Sequence, residues 1–238
     1  MAAENFEFLY KGKNIPLAID LDDLNDPRTK MILLTRANAK VLEFGCNTGF
    51  CSKALADRGC EVTGIEIDPV AAEHARRFCK KVIVADIENG KFQDQIGSEK
   101  FDNILLGGFL EHLKSPGDFL RRMRPLLEDA GSVILYVPNI AHWSTRIELL
   151  EGRFDYQLTG ILDSTHLVHF TKAGLLKMLE ESRFGVIHLD SVVVPIDVEK
   201  VRDNLLAMGL SCDREIVNYF KSTDAESYIY VAEAKPLE

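Results

Sequence analysis

The sequence predicts an α/β fold: a doubly wound, seven-stranded, mostly parallel sheet with a reversed last strand. From residue 41 onward, short apolar segments alternate with segments whose apolar residues have helical spacing. One stretch, VLEFGCNTGFCSKAL at residues 41–55, combines a strand, a glycine turn and the start of a helix. Such alternation produces parallel strands joined by right-handed helical crossovers, and ligands of these folds lie above the carboxyl ends of the strands.

The turn after the strand at residue 41 indicates which ligand the fold accepts. A dinucleotide fingerprint requires glycine at the positions that Asn47 and Phe50 occupy, counting from Gly45. Asn47 can adopt the left-handed conformation of a glycine, but its side chain fills space that a pyrophosphate needs, and Phe50 is larger still. Glu43 adds a negative charge, which disfavours a phosphate and suits a cationic ligand. A dehydrogenase is therefore disfavoured.

Acidic residues follow the strands predicted at residues 61–67 and 81–85. The helix before the first of them, at residues 50–58, stops at a glycine, and a helix at residues 69–78 separates the two strands. Glu66 closes the first strand, where a carboxylate can accept both hydrogen bonds of a ribose diol. Asp86 closes the second and can be a simple turn former. With Glu43, these acids form a series at three consecutive strand ends.

The remaining elements complete the sheet and leave one long insertion. Residues 140–170 exceed the length of an ordinary connection and are expected to form a lid with a short helix near its start. The other predicted segments are a polar connection at 88–100, strands at 101–106, 132–137, 186–195 and 227–234, and helices at 28–36, 116–127, 172–182 and 198–208.

Composition limits the classes of partner. The chain has 238 residues and 46% hydrophobic content, enough for one sizeable core. The net charge of -9 disfavours binding to nucleic acid or to an anionic membrane. No signal peptide and no apolar run of ~20 residues is evident, so we expect a cytoplasmic protein with a small-molecule partner. The oligomeric state stays open, with a homodimer among the alternatives.

We expect one domain over residues 1–238, divided into four parts. These are a lead-in or cap at 1–40, a cofactor-binding core at 41–139, the lid at 140–170 and the end of the sheet at 171–238.

The five cysteines predict neither disulfides nor a metal centre. They form no Cys-x-x-Cys pair, and their odd number argues against a disulfide framework. Cys46 and Cys51 flank the glycine turn without the further ligands that structural zinc requires. No other spacing in the chain supports a metal site, so none is expected.

The pattern around the turn resembles the class I S-adenosylmethionine-dependent methyltransferases. Their first motif is an acidic residue followed by Gly-x-Gly-x-Gly, which stands here as Glu43, Gly45, Asn47 and Gly49. The resemblance implies S-adenosyl-L-methionine as cofactor and S-adenosyl-L-homocysteine as product, with Asp86 at the adenine amino group and Ile87 beside the ring. The implied cofactor-binding residues are Glu43, Gly45, Cys46, Asn47, Gly49, Glu66, Ile67, Asp86, Ile87 and Gly107.

Two further segments indicate the class of acceptor. The Asn/Asp-Pro-Pro-Tyr/Phe motif of members that methylate nucleic-acid bases or protein amides is absent, and Leu-Glu-His-Leu at 110–113 is similar to small-molecule enzymes of the ubiquinone-pathway type. Residues 161–170 resemble the lid of bacterial methyltransferases of sugar and surface-glycan pathways. Val168 and His169 stand where that pattern more often has Arg-Phe, so an anion-binding arginine is missing. A sugar-linked or natural-product hydroxyl is the expected acceptor.

Methylation of a hydroxyl requires a base, and histidine suits that role near neutral pH. His166 lies in the lid with Asp163 three residues earlier to hold its tautomer, and His112 follows the fourth core strand, where it can position the same hydroxyl. His142 stays an alternative. An amine acceptor would need no base, so N-methylation is the second hypothesis. The third hypothesis is a non-catalytic cofactor-binding scaffold. The intact lid with its two histidines, His166 and His169, argues against it.

Overall fold

A computed structural model describes residues 7–10, 13–16, 19–89, 92–211 and 214–237. A separate antiparallel pair, β1 (Glu7–Tyr10) and β2 (Lys13–Pro16), precedes the main sheet. The strands of the main sheet are β3 (Lys40–Phe44), β4 (Glu61–Glu66), β5 (Lys81–Val84), β6 (Phe101–Gly107), β7 (Leu127–Pro138), β8 (Phe184–Val193) and β9 (Ser227–Pro236).

The main sheet has the predicted topology. Its seven strands lie in the order β5-β4-β3-β6-β7-β9-β8. Neighbouring strands are parallel except around β9, which is antiparallel to both β7 and β8. The prediction of a mostly parallel sheet with a reversed last strand is therefore confirmed. In the register, Phe44 lies opposite Ile65 and Glu66 opposite Val84, so the carboxyl ends of β3, β4 and β5 meet at one edge.

The helices cover both faces of the sheet. They are α1 (Pro27–Leu34), α2 (Phe50–Asp57), α3 (Pro69–Ala75), α4 (Phe92–Ile96), α5 (Pro116–Met123), α6 (Trp143–Leu150), α7 (Lys172–Glu181), α8 (Val198–Ala207) and α9 (Arg214–Ser222). Val41 packs in a cluster with α1 and α2, whereas its neighbour Leu42 packs in a cluster with α4, α5 and α7, because successive side chains of a strand point to opposite faces. Among the described helices, none has the length and apolar character that a bilayer crossing requires.

A third apolar cluster lies inside the segment predicted as a lid. Trp143 and Ile147 of α6 are buried against Val201 and Leu205 of α8 and Phe220 of α9. The first third of the insertion is thus part of a packed core. After α6, the insertion reaches the turn that follows β6, where the amides of Leu167 and Val168 donate to the Glu111 carbonyl.

Several predicted boundaries and one predicted connection are wrong. Residues 88–100 are not a simple polar connection, because α4 forms there and buries Phe92 completely. The helix predicted at 116–127 ends at Met123, since Pro125 cannot donate the next helical hydrogen bond, and β7 already begins at Leu127. The helix predicted at 69–78 ends at Ala75. The sequence patterns did not indicate α9 or the β1–β2 pair.

Candidate functional site

In the turn between β3 and α2, every second residue from 45 to 49 has a positive φ. They are Gly45 at 68°, Asn47 at 48° and Gly49 at 85°. The prediction that Asn47 replaces a glycine in the left-handed region is therefore confirmed, and its Oδ1 accepts a hydrogen bond from the Thr48 amide at 2.7 Å. A Cβ at Gly49 would lie 2.9 Å from Cα of Ala75, so this glycine allows the turn to pack closely against α3.

Glu66 braces this turn from the neighbouring strand. Its Oε2 accepts a hydrogen bond from the Asn47 amide at 2.8 Å, and Oε1 accepts from the amides of Ile67 at 2.8 Å and Asp68 at 2.9 Å. The residue is 9% exposed and is therefore no solvated surface acid. A carboxylate has about four acceptor positions. Three are used here, which leaves one on Oε2 for a ligand, so the two ribose bonds expected from the sequence cannot both be added to the existing three.

Glu43 differs from the expectation in place and in charge. It is the penultimate residue of β3, is 5% exposed, and its Oε2 accepts a 2.5 Å hydrogen bond from Ser52 Oγ. Burial raises the pKa of Glu43 to about 8, against the lowering effect of the Ser52 hydrogen bond and with smaller raising effects of Cys79 and Glu66. At pH 7 the carboxyl group is mostly protonated. The fixed negative charge expected there is wrong, although a nearby cation would favour ionisation.

The other cofactor-binding candidates on the turn side differ in what they can offer. Cys46 is buried, and its Sγ fills the space beside Gly64, where a Cβ would lie only 2.6 Å away. The space beside Gly107 is filled in the same way by Tyr136 and Met31. Cys46 and Gly107 can therefore contribute backbone groups to a ligand, whereas their side-chain positions face the protein interior.

Ile67 follows the end of β4, and Asp86 and Ile87 follow the end of β5. Ile67 is 64% exposed and offers an apolar surface beside the turn, whereas Ile87 packs into the core. Asp86 accepts hydrogen bonds from the Glu88 amide at 3.0 Å and from Asn89 Nδ2 at 2.7 Å. The turn-forming role considered for Asp86 is therefore real, and the residue remains exposed to a ligand as well.

A second group of polar side chains forms where the segment predicted as a lid meets the turn after β6. The amides of Leu167 and Val168 donate to the carbonyl oxygen of Glu111 at 2.8 and 3.1 Å, which fixes the lid against the 3₁₀ turn Leu110–His112. The rings of His112 and His166 consequently lie 4.9 Å apart, centroid to centroid, at 68°. The structure thus brings together the two histidines that the sequence analysis assigned to the acceptor.

Asp163 does not hold His166 as predicted. Nδ1 of His166 lies 3.0 Å from the carbonyl oxygen of Ile161, which is the partner that fixes its tautomer. Oδ1 of Asp163 accepts instead from the amide of Thr165 at 2.9 Å and from its hydroxyl at 2.7 Å. The Thr165 hydroxyl and carbonyl oxygens then lie 3.3 and 3.2 Å from Nδ1 of His112. Asp163 therefore orients His112, through Thr165.

Both histidines present the same tautomer. The Ile161 and Thr165 carbonyl oxygens can only accept, and the Thr165 hydroxyl spends its proton on Asp163, so each Nδ1 carries a proton and each Nε2 a lone pair. Burial lowers the pKa of His166, with a smaller contribution from His112 in the same direction, against raising effects of Ile161 and Asp163. His166 is accordingly neutral at pH 7 and able to accept a proton at Nε2.

Glu111 is a site residue that the sequence analysis missed. It is 2% exposed, Oε1 lies 4.0 Å from Nε2 of His166, and Oε2 has no hydrogen-bond partner among the described residues. Burial raises the pKa of Glu111 to about 8, with a smaller raising effect of Asp163, so the carboxyl group is mostly protonated at pH 7. The only sequence signal was the Glu-His pair itself, which carries no indication of depth.

His142, the alternative base, has a structural role. It is the N-cap of α6, and its Nδ1 lies 2.8 Å from the Ser144 hydroxyl. The pKa of His142 is lowered to about 4, mainly by burial, against a raising effect of the Val194 backbone and with a smaller lowering effect of Arg146. The ring packs edge-on against Tyr228. These contacts satisfy Nδ1 and pack the ring, whereas Nε2 is buried without a hydrogen-bond partner among the described residues.

Comparisons with known proteins agree on the family. A family model described as a methyltransferase domain matches residues 20–189. A ubiquinone biosynthesis O-methyltransferase of Pseudomonas aeruginosa is 32% identical over 124 residues, which are 50% of this chain and 53% of that protein. The chain thus spans about half the length of this relative. A protein of the same description from Stutzerimonas stutzeri is 24% identical over 213 residues, covering 87% of this chain and 88% of that one.

Solved structures share the fold at low identity. An S-adenosylmethionine-dependent methyltransferase from Archaeoglobus fulgidus has a TM-score of 0.61 at 14% identity, covering 91% of this chain and 94% of that chain. The 1,6-didemethyltoxoflavin-N1-methyltransferase of Burkholderia thailandensis, solved with S-adenosylhomocysteine, has a TM-score of 0.56 at 17% identity, covering 92% and 82%. The family model covers more than half of the chain, and the chain belongs to the methyltransferase domain family, with the fold of the class I S-adenosylmethionine-dependent enzymes.

Proposed function

We propose that this chain transfers a methyl group from S-adenosyl-L-methionine to a hydroxyl group of a small-molecule acceptor, of the sugar-linked or natural-product type. One observation carries the choice of a hydroxyl: His166 is held neutral with its Nε2 lone pair facing the buried Glu111. An amine that is already neutral needs no proton acceptor, whereas a hydroxyl does. The name of the P. aeruginosa relative, an O-methyltransferase, supports the same choice.

The turn side would hold the cofactor, and its residues fit that ligand. Two nearly buried carboxyl groups, Glu43 and Glu66, adjoin one turn without a basic partner in their described hydrogen bonds. Such a pair favours a ligand with cationic groups, because a cation relieves the cost of ionising buried acids. The proposed contacts are Glu43, Gly45, Cys46, Asn47 and Gly49 of the turn, and Glu66, Ile67, Asp86, Ile87 and Gly107 of the strand ends.

The bound cofactor supplies an electrophilic methyl group on a sulfonium. The chain contributes position and proton transfer: the turn fixes one reactant while the cluster of Glu111, His112 and His166 fixes the other. His166 would take the hydroxyl proton at Nε2. His112, whose ring is held by Asp163 and Thr165, would position the acceptor by contact with its ring, because its own Nε2 can only accept a hydrogen bond. The backbone hydrogen bonds from Leu167 and Val168 to Glu111 would hold the segment with His166 in place at this contact.

A transfer assay with separate acceptor classes tests the proposal. The purified chain is incubated with methyl-labelled S-adenosylmethionine and, in turn, with phenols and catechols, nucleotide sugars and glycans, and primary amines. We expect label in an ether product from one of the hydroxyl classes. Label in an amine product alone would replace O-methylation by N-methylation. Binding of S-adenosylhomocysteine without transfer to any class, under conditions that saturate the cofactor, would favour the scaffold alternative.

A further inference from the structure

We infer that Glu111, His112 and His166 form a binding site for one divalent transition-metal ion, at which the acceptor hydroxyl would be an additional ligand. The identity of that hydroxyl rests on the proposed function. The binding of a metal ion by the three side chains does not depend on it. One ring nitrogen of each histidine and one carboxylate oxygen of Glu111 lie within 4.8 Å of one another. Two imidazoles and a carboxylate form a ligand set that zinc, manganese, cobalt and ferrous iron accept.

The histidines are prepared as ligands by their outer hydrogen bonds. In metal sites, a histidine typically donates its second ring N–H to a backbone carbonyl or a carboxylate, which fixes the tautomer and the orientation of the ring. His166 does this towards Ile161 at 3.0 Å, and His112 towards Thr165 at 3.2 Å. Asp163 supports the second contact through the Thr165 hydroxyl. Both rings therefore keep a lone pair on Nε2.

Glu111 supplies the independent observation that the cluster lacks a ligand. Its Oε2 is buried without a hydrogen-bond partner among the described residues, whereas buried carboxylate oxygens are normally paired. Its Oε1 lies 4.0 Å from Nε2 of His166. Donor atoms with bonds of about 2.0–2.2 Å to one ion lie roughly 3–3.5 Å apart. This pair would have to approach by about 0.5–1 Å, and the donor atoms of the cluster that lie furthest apart, within 4.8 Å, by less than about 2 Å.

Three protein ligands leave coordination positions open, which is the arrangement of catalytic rather than structural ions. A divalent ion lowers the pKa of a bound O–H group, so the acceptor hydroxyl would release its proton to solvent. The oxygen then forms the new C–O bond as the C–S bond of the sulfonium breaks and S-adenosylhomocysteine leaves. In the metal-loaded enzyme His166 is a ligand, and the ion replaces it as the means of ionising the hydroxyl.

Calorimetry with the metal alone tests this inference. The full chain is stripped with a chelator, dialysed and titrated with Mn²⁺, Zn²⁺ and Co²⁺ in turn. The visible absorption of Co²⁺ reports the coordination geometry of the bound ion. We expect about one ion per chain, and an affinity at least about 10- to 100-fold weaker in Glu111→Gln and His166→Ala. The matched control is His188→Ala, which removes an exposed histidine of β8 and should bind like the wild type.

Affinity for S-adenosylhomocysteine checks that the variants are folded. The metal site would be overturned if Glu111→Gln and His166→Ala both bound the ions as tightly as the wild type. It would also be overturned if the wild type bound none of the three ions. Methyl transfer that persists in the chelated chain would then leave the proposed function intact. If metal binding depended on both residues but the chain transferred no methyl group, the metal site would stand and the proposed function would be wrong.

Discussion

On each side of the site lies one buried acid with a strongly raised pKa, and the two are satisfied differently. Glu43, beside the cofactor turn, and Glu111, under the lid, are 5% and 2% exposed, and burial raises the pKa of each to about 8. Glu43 accepts a hydrogen bond from Ser52, whereas Oε2 of Glu111 has no partner in the described part of the chain. Unsatisfied buried groups concentrate at functional sites. The comparison teaches that the acid beside the turn is paired within its own chain, whereas the acid on the acceptor side keeps a buried oxygen that a ligand could pair.

The largest expected effect is on turnover when the acceptor side loses His166. His166→Ala should reduce the rate of methyl transfer by about 10²–10⁴, the usual contribution of a positioned proton acceptor. Because burial lowers the pKa of His166, wild-type activity should stay constant around neutral pH and fall only below the ordinary histidine range, as the ring becomes protonated. The measurement is the initial rate as a function of pH with saturating cofactor.

The control for this loss is His169→Ala, in the same lid segment. His169 packs edge-on against Phe154, with a ring centroid 6.3 Å from that of His166. It should keep turnover within about threefold, a surface-type change of well under 1 kcal/mol. If His166→Ala and His169→Ala both retained wild-type turnover, the acceptor side would work by proximity alone. The assignment of a proton acceptor to that side would then be wrong.

The two sides also differ in how far the sequence predicts them. Local rules predict the cofactor turn. Within residues 41–49 these are the freedom of glycine and an asparagine that tolerates positive φ, and the neighbouring strands add acids at their ends. The part that failed there is electrostatic, since the sequence does not show that Glu43 is buried deeply enough to be protonated.

The acceptor cluster depends on contacts between distant segments. Glu111 meets His166 only because the lid amides of Leu167 and Val168 bind the Glu111 carbonyl. Spacing within the lid suggested that Asp163 would reach His166, but the backbone directs the carboxylate to Thr165 instead. Periodicity and motif spacing carry no information on such pairings. The division of the chain into lead-in, core and lid stays a prediction.

A smaller effect concerns the free energy of unfolding, whose pH dependence should reflect both buried acids, Glu43 and Glu111. The folded pKa of Glu43 and Glu111 is raised above the unfolded value of 4.5, so each contributes stability that is present below that pH and lost as pH rises towards 8. Between pH 6.5 and 8 the free energy of unfolding should fall by at most about 1.4 kcal/mol per pH unit for each acid. Below this window the lowered pKa of His142 works in the opposite direction.

Urea unfolding in the presence of a chelator, at several pH values within that window, provides the measurement. Glu43→Gln and Glu111→Gln should each flatten the slope by about 1 kcal/mol per pH unit, while Glu73→Gln, an exposed acid of α3, should not. Identical slopes in all three variants would show that the buried acids are already ionised in the native state. The claim that burial raises the pKa of both acids would then be wrong.

Affinity for S-adenosylhomocysteine, measured by calorimetry on the wild type, Glu66→Gln and His166→Ala, tests most directly the claim that the two sides have separate ligands. Glutamine places an N–H₂ group where Glu66 accepts from three backbone amides, so Glu66→Gln should weaken binding by about 1–3 kcal/mol, roughly 5- to 150-fold. His166→Ala should bind like the wild type, and NAD should bind to none of them. Equal weakening in both variants, or tight binding of NAD, would contradict the account.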